Sequence, residues 1–231
     1  MNANLSRALV LIGVLATASS ALAGTSPVAG PAAAPTADPA FDADLHALAI
    51  HWETVKFLVP PGDKQTAGME KVCAEADALY VRYPTRVEAA IWDGILKSEQ
   101  ASMASAFSAL SLAKQAKAIL EAANAANPTV LDAGAPTSLG VLYYRVPGFP
   151  IAFGDTKKAQ ELLQQATRAA PNGLDAWYFY GDFLMNQHQY SQAKQAFTYA
   201  LSIPETADRP LWDKNRRLVI KEDLAKIEGK S

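Results

Sequence analysis

One stretch of this chain recurs, position by position, 34 residues later. The first copy places Gly154, Ala159, Leu163, Ala166 and Pro171; the second places His188, Ala193, Phe197 and Ala200, with Pro204 one position early. A repeat of this length is a helix–turn–helix that cannot bury its apolar face alone and must stack on further copies. That requirement excludes most architectures before any other residue is considered.

The clearest unit runs from Trp177 to Ala200. Trp177, Tyr180, Gly181 and Leu184 follow at spacings of three, one and three, which puts them on one helical face. Ala193, Phe197 and Ala200 lie at i, i+4 and i+7 of a second helix. Where two helices cross closely, a side chain larger than Gly181 or Ala193 holds the axes apart. Large residues beside them fill the gaps. These seven residues resemble the tetratricopeptide consensus at nearly every signature position. The resemblance implies an all-α tetratricopeptide-like array of about four helical hairpins plus a C-terminal capping helix. It also implies a binding scaffold with a protein or peptide partner.

The other hairpins are read outward from this one. Ala116, Leu120 and Ala123 repeat the small–large–small pattern, and Pro128 stands at the terminal proline. Their first helix is expected to start at Thr85-x-x-Glu88, a capping-box pattern, with Ala90 and Gly94 at the consensus Trp and Gly places. An insertion from Lys97 to about Ala106 is expected to lengthen both helices. An earlier pair spans Ala40–Leu58 and Asp63–Tyr83 around Pro60-Pro61-Gly62, after a helix start at Asp38-Pro39. Pro210 to Ile227 reads as a terminal cap with Lys and Arg on its outer face.

The N-terminus carries an address. Arg7, the apolar run Ala8–Ala16, polar Ser19-Ser20 and Ala21-Leu22-Ala23 before Gly24 form a secretory signal pattern. The run is too short to span a bilayer, which takes about 20 apolar residues. Cleavage is expected between Ala23 and Gly24. With no Cys at that point, the mature protein is expected in the periplasm or secreted, not a lipoprotein and with no stable membrane anchor. The chain then divides into residues 1–23, a signal peptide; 24–38, a Pro/Ala-rich linker; and 39–231, the helical repeat domain. Loss of Arg7 leaves 20 basic and 23 acidic residues, a net charge of −3, which disfavours nucleic acid. Cys73 is the only cysteine, so an internal disulfide is impossible; it reads as a small buried residue, with an intermolecular disulfide or reactive thiol as alternatives.

The most irregular stretch is Leu131–Phe153. Val146-Pro147-Gly148-Phe149 is a turn signal with Pro second and Gly third, and Pro150 stops a helix from restarting. Nine of the twenty aromatic residues fall between Tyr143 and Phe183. They read as core wedged between hairpins, or alternatively as the wall of a cavity for a small apolar ligand. Long loops on rigid scaffolds carry function, so Tyr143, Phe149 and Phe153 are candidate binding residues.

A narrower likeness rests on Ala113-Lys114-Gln115-Ala116-Lys117, Ser138-Leu139-Gly140-x-Leu142-Tyr143, Pro147-Gly148-Phe149-Pro150, Gly154-Asp155 and Lys158-Ala159. From about Val87 to Ala200 the chain resembles the T component of TRAP transporters and its uncharacterised periplasmic relatives. The likeness implies degenerate tetratricopeptide hairpins and association with a periplasmic solute-binding protein. Many members are lipoproteins, and this chain departs from them there.

Catalytic signatures are absent: the sequence holds no Gly-rich phosphate loop, Gly-x-Ser-x-Gly elbow or His-Glu-x-x-His. His46 and His51 are five apart and do not share a helical face; a metal would need Asp42, Asp44 or Glu53 as well. His188 reads as an exposed turn residue. The expectation is a non-enzyme without cofactor or metal. First helices of such arrays line the concave face, so the outward positions of the last unit are Asp175, Tyr178, Asp182, Met185 and Asn186. The second hairpin offers Glu88, Ile91, Ile95 and Glu99. Tyr178 is expected to be a half-exposed anchor for a partner, or else to pack on the third hairpin.

Overall fold

The computed structural model describes residues 38–230, so the signal and most of the linker expected from the sequence lie outside the described residues. Among the described residues nine α-helices follow in order: α1 (Pro39–Leu58), α2 (Asp63–Arg82), α3 (Val87–Met103), α4 (Ala106–Ala126), α5 (Val130–Arg145), α6 (Thr156–Ala169), α7 (Leu174–Asn186), α8 (Tyr190–Ser202) and α9 (Pro210–Ile227). They pair as four antiparallel hairpins, α1–α2 to α7–α8, with α9 alone at the end. Asp38 caps α1 as its sequence position predicts, accepting from the Phe41 amide at 3.1 Å ahead of Pro39. The 85–88 pattern does not cap α3. The helix starts at Val87 after Arg86, and Glu88 pairs with the Arg86 guanidinium at 3.3 Å instead. The insertion does lengthen its hairpin: α3 and α4 run 17 and 21 residues, against 13 each for α7 and α8.

Each of the last three hairpins crosses at a glycine. A Cβ on Gly181 would stand 2.6 Å from the Phe197 ring; one on Gly94 would meet Leu120 at 2.5 Å, and one on Gly140 would meet Leu163 at 2.6 Å. Leu120, Leu163 and Phe197 are all fully buried, each gaining roughly 1.5–3 kcal/mol from leaving water. Ala116 and Ala123, Ala159 and Ala166, and Ala193 and Ala200 flank them, equally buried. This is one small–large–small device used three times, and it sets the distance between helix axes.

First helices also touch one another, α3 on α5 and α5 on α7, whereas no contact of similar extent joins α4 to α6 or α6 to α8 among the described residues. The stack therefore curves, with first helices inside and second helices outside. Between α2 and α3, Cys73 is buried and donates to the Leu96 carbonyl at 3.4 Å. Burial, then the Glu99 and Asp77 charges, push its thiol up to about 12, which leaves it unreactive at neutral pH.

Candidate partner-binding surfaces

The inner face is not open. Helix α9 packs on α8, on α7 and on α1, so the last helix of the array meets the first. The inward stripe of the terminal segment is Arg209, Trp212, Arg216, Ile220, Asp223 and Ile227, all buried and spaced three or four apart as one helical face requires. Arg209 pairs with Glu53 of α1 and lies over the rings of Trp92 and Trp212. Arg216 pairs with Asp175 of α7 and lies 4.3 Å from the Tyr178 ring centroid. The outer face of α9 does carry Lys214 and Lys221, as expected of a terminal cap, but Arg216 points inward, so the helix closes the array and also lines its inner face. Arg209, just ahead of the helix, and Arg216 within it are drawn in by the Glu53 and Asp175 carboxylates of the first helices.

This arrangement removes most of the expected partner-binding residues from the surface. Tyr178 is buried under Arg216, with its ring 6.1 Å from that of Phe197; it is neither half-exposed nor packed on the third hairpin alone. Asp182 is buried, ion-paired with Arg145 and accepting from the Tyr144 hydroxyl. Burial, then the Asp182 carboxylate, hold that phenol well above its usual range. Ile91 and Ile95 are fully buried, and buried Glu99 pairs with Lys56 of α1. Met185 is half-buried and only Asn186 is fully accessible. The physical reason is curvature: with four hairpins the first helices close upon one another and upon α9, so positions that face solvent in a single hairpin face protein here.

The loop between α5 and α6 is the opposite case. Gly148 is not in the left-handed region, so Pro147-Gly148 is not the expected turn of that type. The tight turn lies two residues on, from Gly148 to Ile151. The Ile151 amide donates to the Gly148 carbonyl at 3.1 Å across a cis Phe149–Pro150 bond. The base is tied by Gly154 N–H to the Pro147 carbonyl at 2.9 Å and Asp155 N–H to the Tyr143 carbonyl at 2.8 Å. Gly154 is required there, since any Cβ would run into the backbone of Val146 and Pro147. The tip holds Phe149 at 93% and Ile151 at 71% exposure. Tyr143 and Phe153 stay behind, their rings packed edge-to-face at 5.7 Å beneath Lys117. Of the three loop candidates, one is presented outward and the other two pack on each other behind the loop.

The remaining aromatics between Tyr143 and Phe183 pack on one another or on the core, as Tyr144 does on Phe183 and Tyr178 on Phe179. Open depressions of about 540 and 430 Å³ lie on the outer side of the last hairpin, lined chiefly by α8 and by Trp177 and Tyr180. They are not closed cavities. His51 bonds to Glu75 at 2.8 Å and Asp44 to Arg82 at 2.7 Å. His188 is an exposed turn residue at φ 60°, the conformation that makes glycine the usual choice there. Among the described residues no three His, Cys, Asp or Glu side chains converge on a metal position.

A left-handed turn at Leu131, Asp132 and Ala133 precedes the regular part of α5; sequence reasoning had no signal for it beyond Pro136, which then falls in the first right-handed turn where its missing N–H is harmless. The turn places Asp132 beside Asp175 and Asp208. Burial, then those two charges, raise its carboxyl to about 6.

Residues 151–207 match the tetratricopeptide repeat family model. TTC0263, a thermophilic tetratricopeptide protein of Thermus thermophilus, superposes with a TM-score of 0.51 at 16% identity, covering 80% of this chain and 91% of that one. A MamA point mutant and MamA of MSR-1 align more loosely, with TM-scores of 0.41 and 0.40. Each is 16% identical, covering 81% and 80% of this chain and 91% of theirs. No curated protein matches the sequence. With three glycine crossings of one design and a family match over the last of them, the chain is folded as a tetratricopeptide-type array of helical hairpins.

Proposed function

We propose that this protein is an exported, non-catalytic interaction scaffold whose accessible contact is the α5–α6 loop. The observation that carries the reading is the Phe149–Ile151 tip: two large apolar side chains held in water on a loop whose backbone is tied at its base. Exposed aromatic anchors on rigid supports contribute most to protein binding, because little conformational freedom is lost on docking. The Pro-Gly-aromatic-Pro order of this loop is also the piece most like the TRAP T component. A periplasmic solute-binding protein is therefore the partner class we favour. Nothing in the packing of the aromatics favours the small-ligand carrier.

Affinity capture from periplasmic extract, with wild type beside Phe149→Ser/Ile151→Ser, tests the site. The double variant should lose the partner while its melting temperature stays put, since neither side chain is buried. Undiminished capture would remove the loop from consideration. Export is tested separately by intact mass of the native protein, expected to begin at Gly24; retention of residues 1–23 counts against it.

A further inference from the structure

The inner groove is filled by the chain's own terminal segment. Once α9 is set aside, the first helices present Glu53, Asp132 and Asp175 without a cation from the array itself, among the rings of Trp52, Trp92, Tyr178 and Phe179. The other two inner carboxylates are already matched within the array, Glu99 by Lys56 and Asp182 by Arg145. The segment that fills the groove answers two of these three carboxylates, with Arg209 on Glu53, Arg216 on Asp175 and Trp212 buried between them in sequence.

The interface with α9 is unlike the hairpin crossings. Three of the six buried residues along α9 itself are charged (Asp213, Arg216 and Asp223), and only Trp212, Ile220 and Ile227 are buried apolar groups. The outer nitrogens of both the Arg209 and Arg216 guanidinium groups have no protein acceptor within hydrogen-bonding reach. Buried pairs of this kind roughly break even against the cost of desolvation, so they select a partner more than they hold it. Polar, moderately apolar contacts within one chain behave like transient interfaces.

We propose that the inner groove recognises an arginine-bearing helix of a partner protein, with two arginines seven residues apart flanking an aromatic residue, and that α9 is the resident copy of that ligand which the partner displaces. The groove and the Phe149 loop are separate surfaces, so either proposal can fail alone.

The probe is a fluorescein-labelled peptide spanning residues 205–227, added to the full chain. Arg209→Ala/Arg216→Ala weakens the resident helix and should bind the peptide at least about tenfold more tightly than wild type. Adding Asp175→Lys should abolish that gain, and a peptide with both arginines replaced by alanine should not bind. Failure of the double variant to bind, with its helical circular dichroism intact, overturns the proposal. If the variant does not fold, native-state hydrogen exchange on the wild type decides. Amides of α9 exchanging at least about tenfold faster than those of α7 and α8 support a displaceable helix, and equal protection overturns it.

Discussion

At the residue scale, the hairpins depend on what is missing at three positions. Gly181 leaves room for the Phe197 ring, and a Cβ alone would intrude to 2.6 Å. Gly181→Leu must push α7 and α8 apart or force Phe197 off its rotamer, at a cost of about 1–3 kcal/mol. A lower thermal midpoint is the expected result, and an unchanged one would show that this crossing is slack. Asp93 makes a second residue-scale case. It is buried on α3 with Lys97 Nζ at 3.1 Å, and Lys97 also pairs with Asp77 of α2. Burial, then the hydrogen bond that its protonated form donates to the Asp77 carboxylate, raise its carboxyl to about 7. In the unfolded chain it titrates near the ordinary value of about 3.9. The folded state therefore holds the extra proton between those values. Its contribution is full below about pH 4 and is lost as pH rises through 7. Urea midpoints at pH 4.5 and 7.5 should fall less in Asp93→Asn than in wild type.

At the scale of elements, boundaries follow local chemistry where a cap or proline sets them, and tertiary contacts where none does. Asp155 closes the α5–α6 loop and caps α6, its carboxylate accepting from the Lys158 amide at 3.0 Å. Asp155→Ala removes an acceptor for one free helix-end donor, and the expected loss is about 0.5–2 kcal/mol by chemical denaturation. An Asp155→Ser variant should recover most of it, since serine also caps. By contrast the Thr85-x-x-Glu88 pattern is a capping motif that the structure does not use. Arg86 sits over the Phe41 ring at 3.9 Å and draws Glu88 to itself, so a long-range aromatic contact outcompetes the local cap. Gly140 is the element-level signal the sequence hides. It plays the part of Gly181, but the inserted loop lengthens the step to Leu163 and breaks the period by which it could have been found.

At the scale of the whole molecule, the array closes. Arg209 and Glu53 are 156 positions apart and both buried, so the last segment fastens onto the first helix. Arg209→Met leaves Glu53 buried without its counter-charge. Losing one partner of such a pair costs up to about 3–5 kcal/mol. Adding Glu53→Leu should restore much of the loss, because no unpaired charge then remains in the groove. Urea denaturation of both single variants and the double variant measures the coupling directly; additive losses would mean that the two side chains do not act as a pair.

What the sequence determined alone is the local, periodic part: helices, their order, the glycine–phenylalanine crossing of the last hairpin, and the Asp38 cap. These depend on spacings within some forty residues, and spacing is what a sequence displays. Site exposure was a different matter. Tyr178, Asp182, Ile91, Ile95 and Glu99 each lie on the face of their helix where the repeat register put them, yet that face is covered. Phe149, by contrast, was one of three loop candidates with Tyr143 and Phe153, and only the backbone ties at Tyr143, Pro147 and Gly148 set it apart by lifting it into solvent. Whether an inward face is open depends on how far four hairpins curl and on where α9 comes to rest. Both are sums of many small crossing geometries, and the register of one hairpin cannot give them.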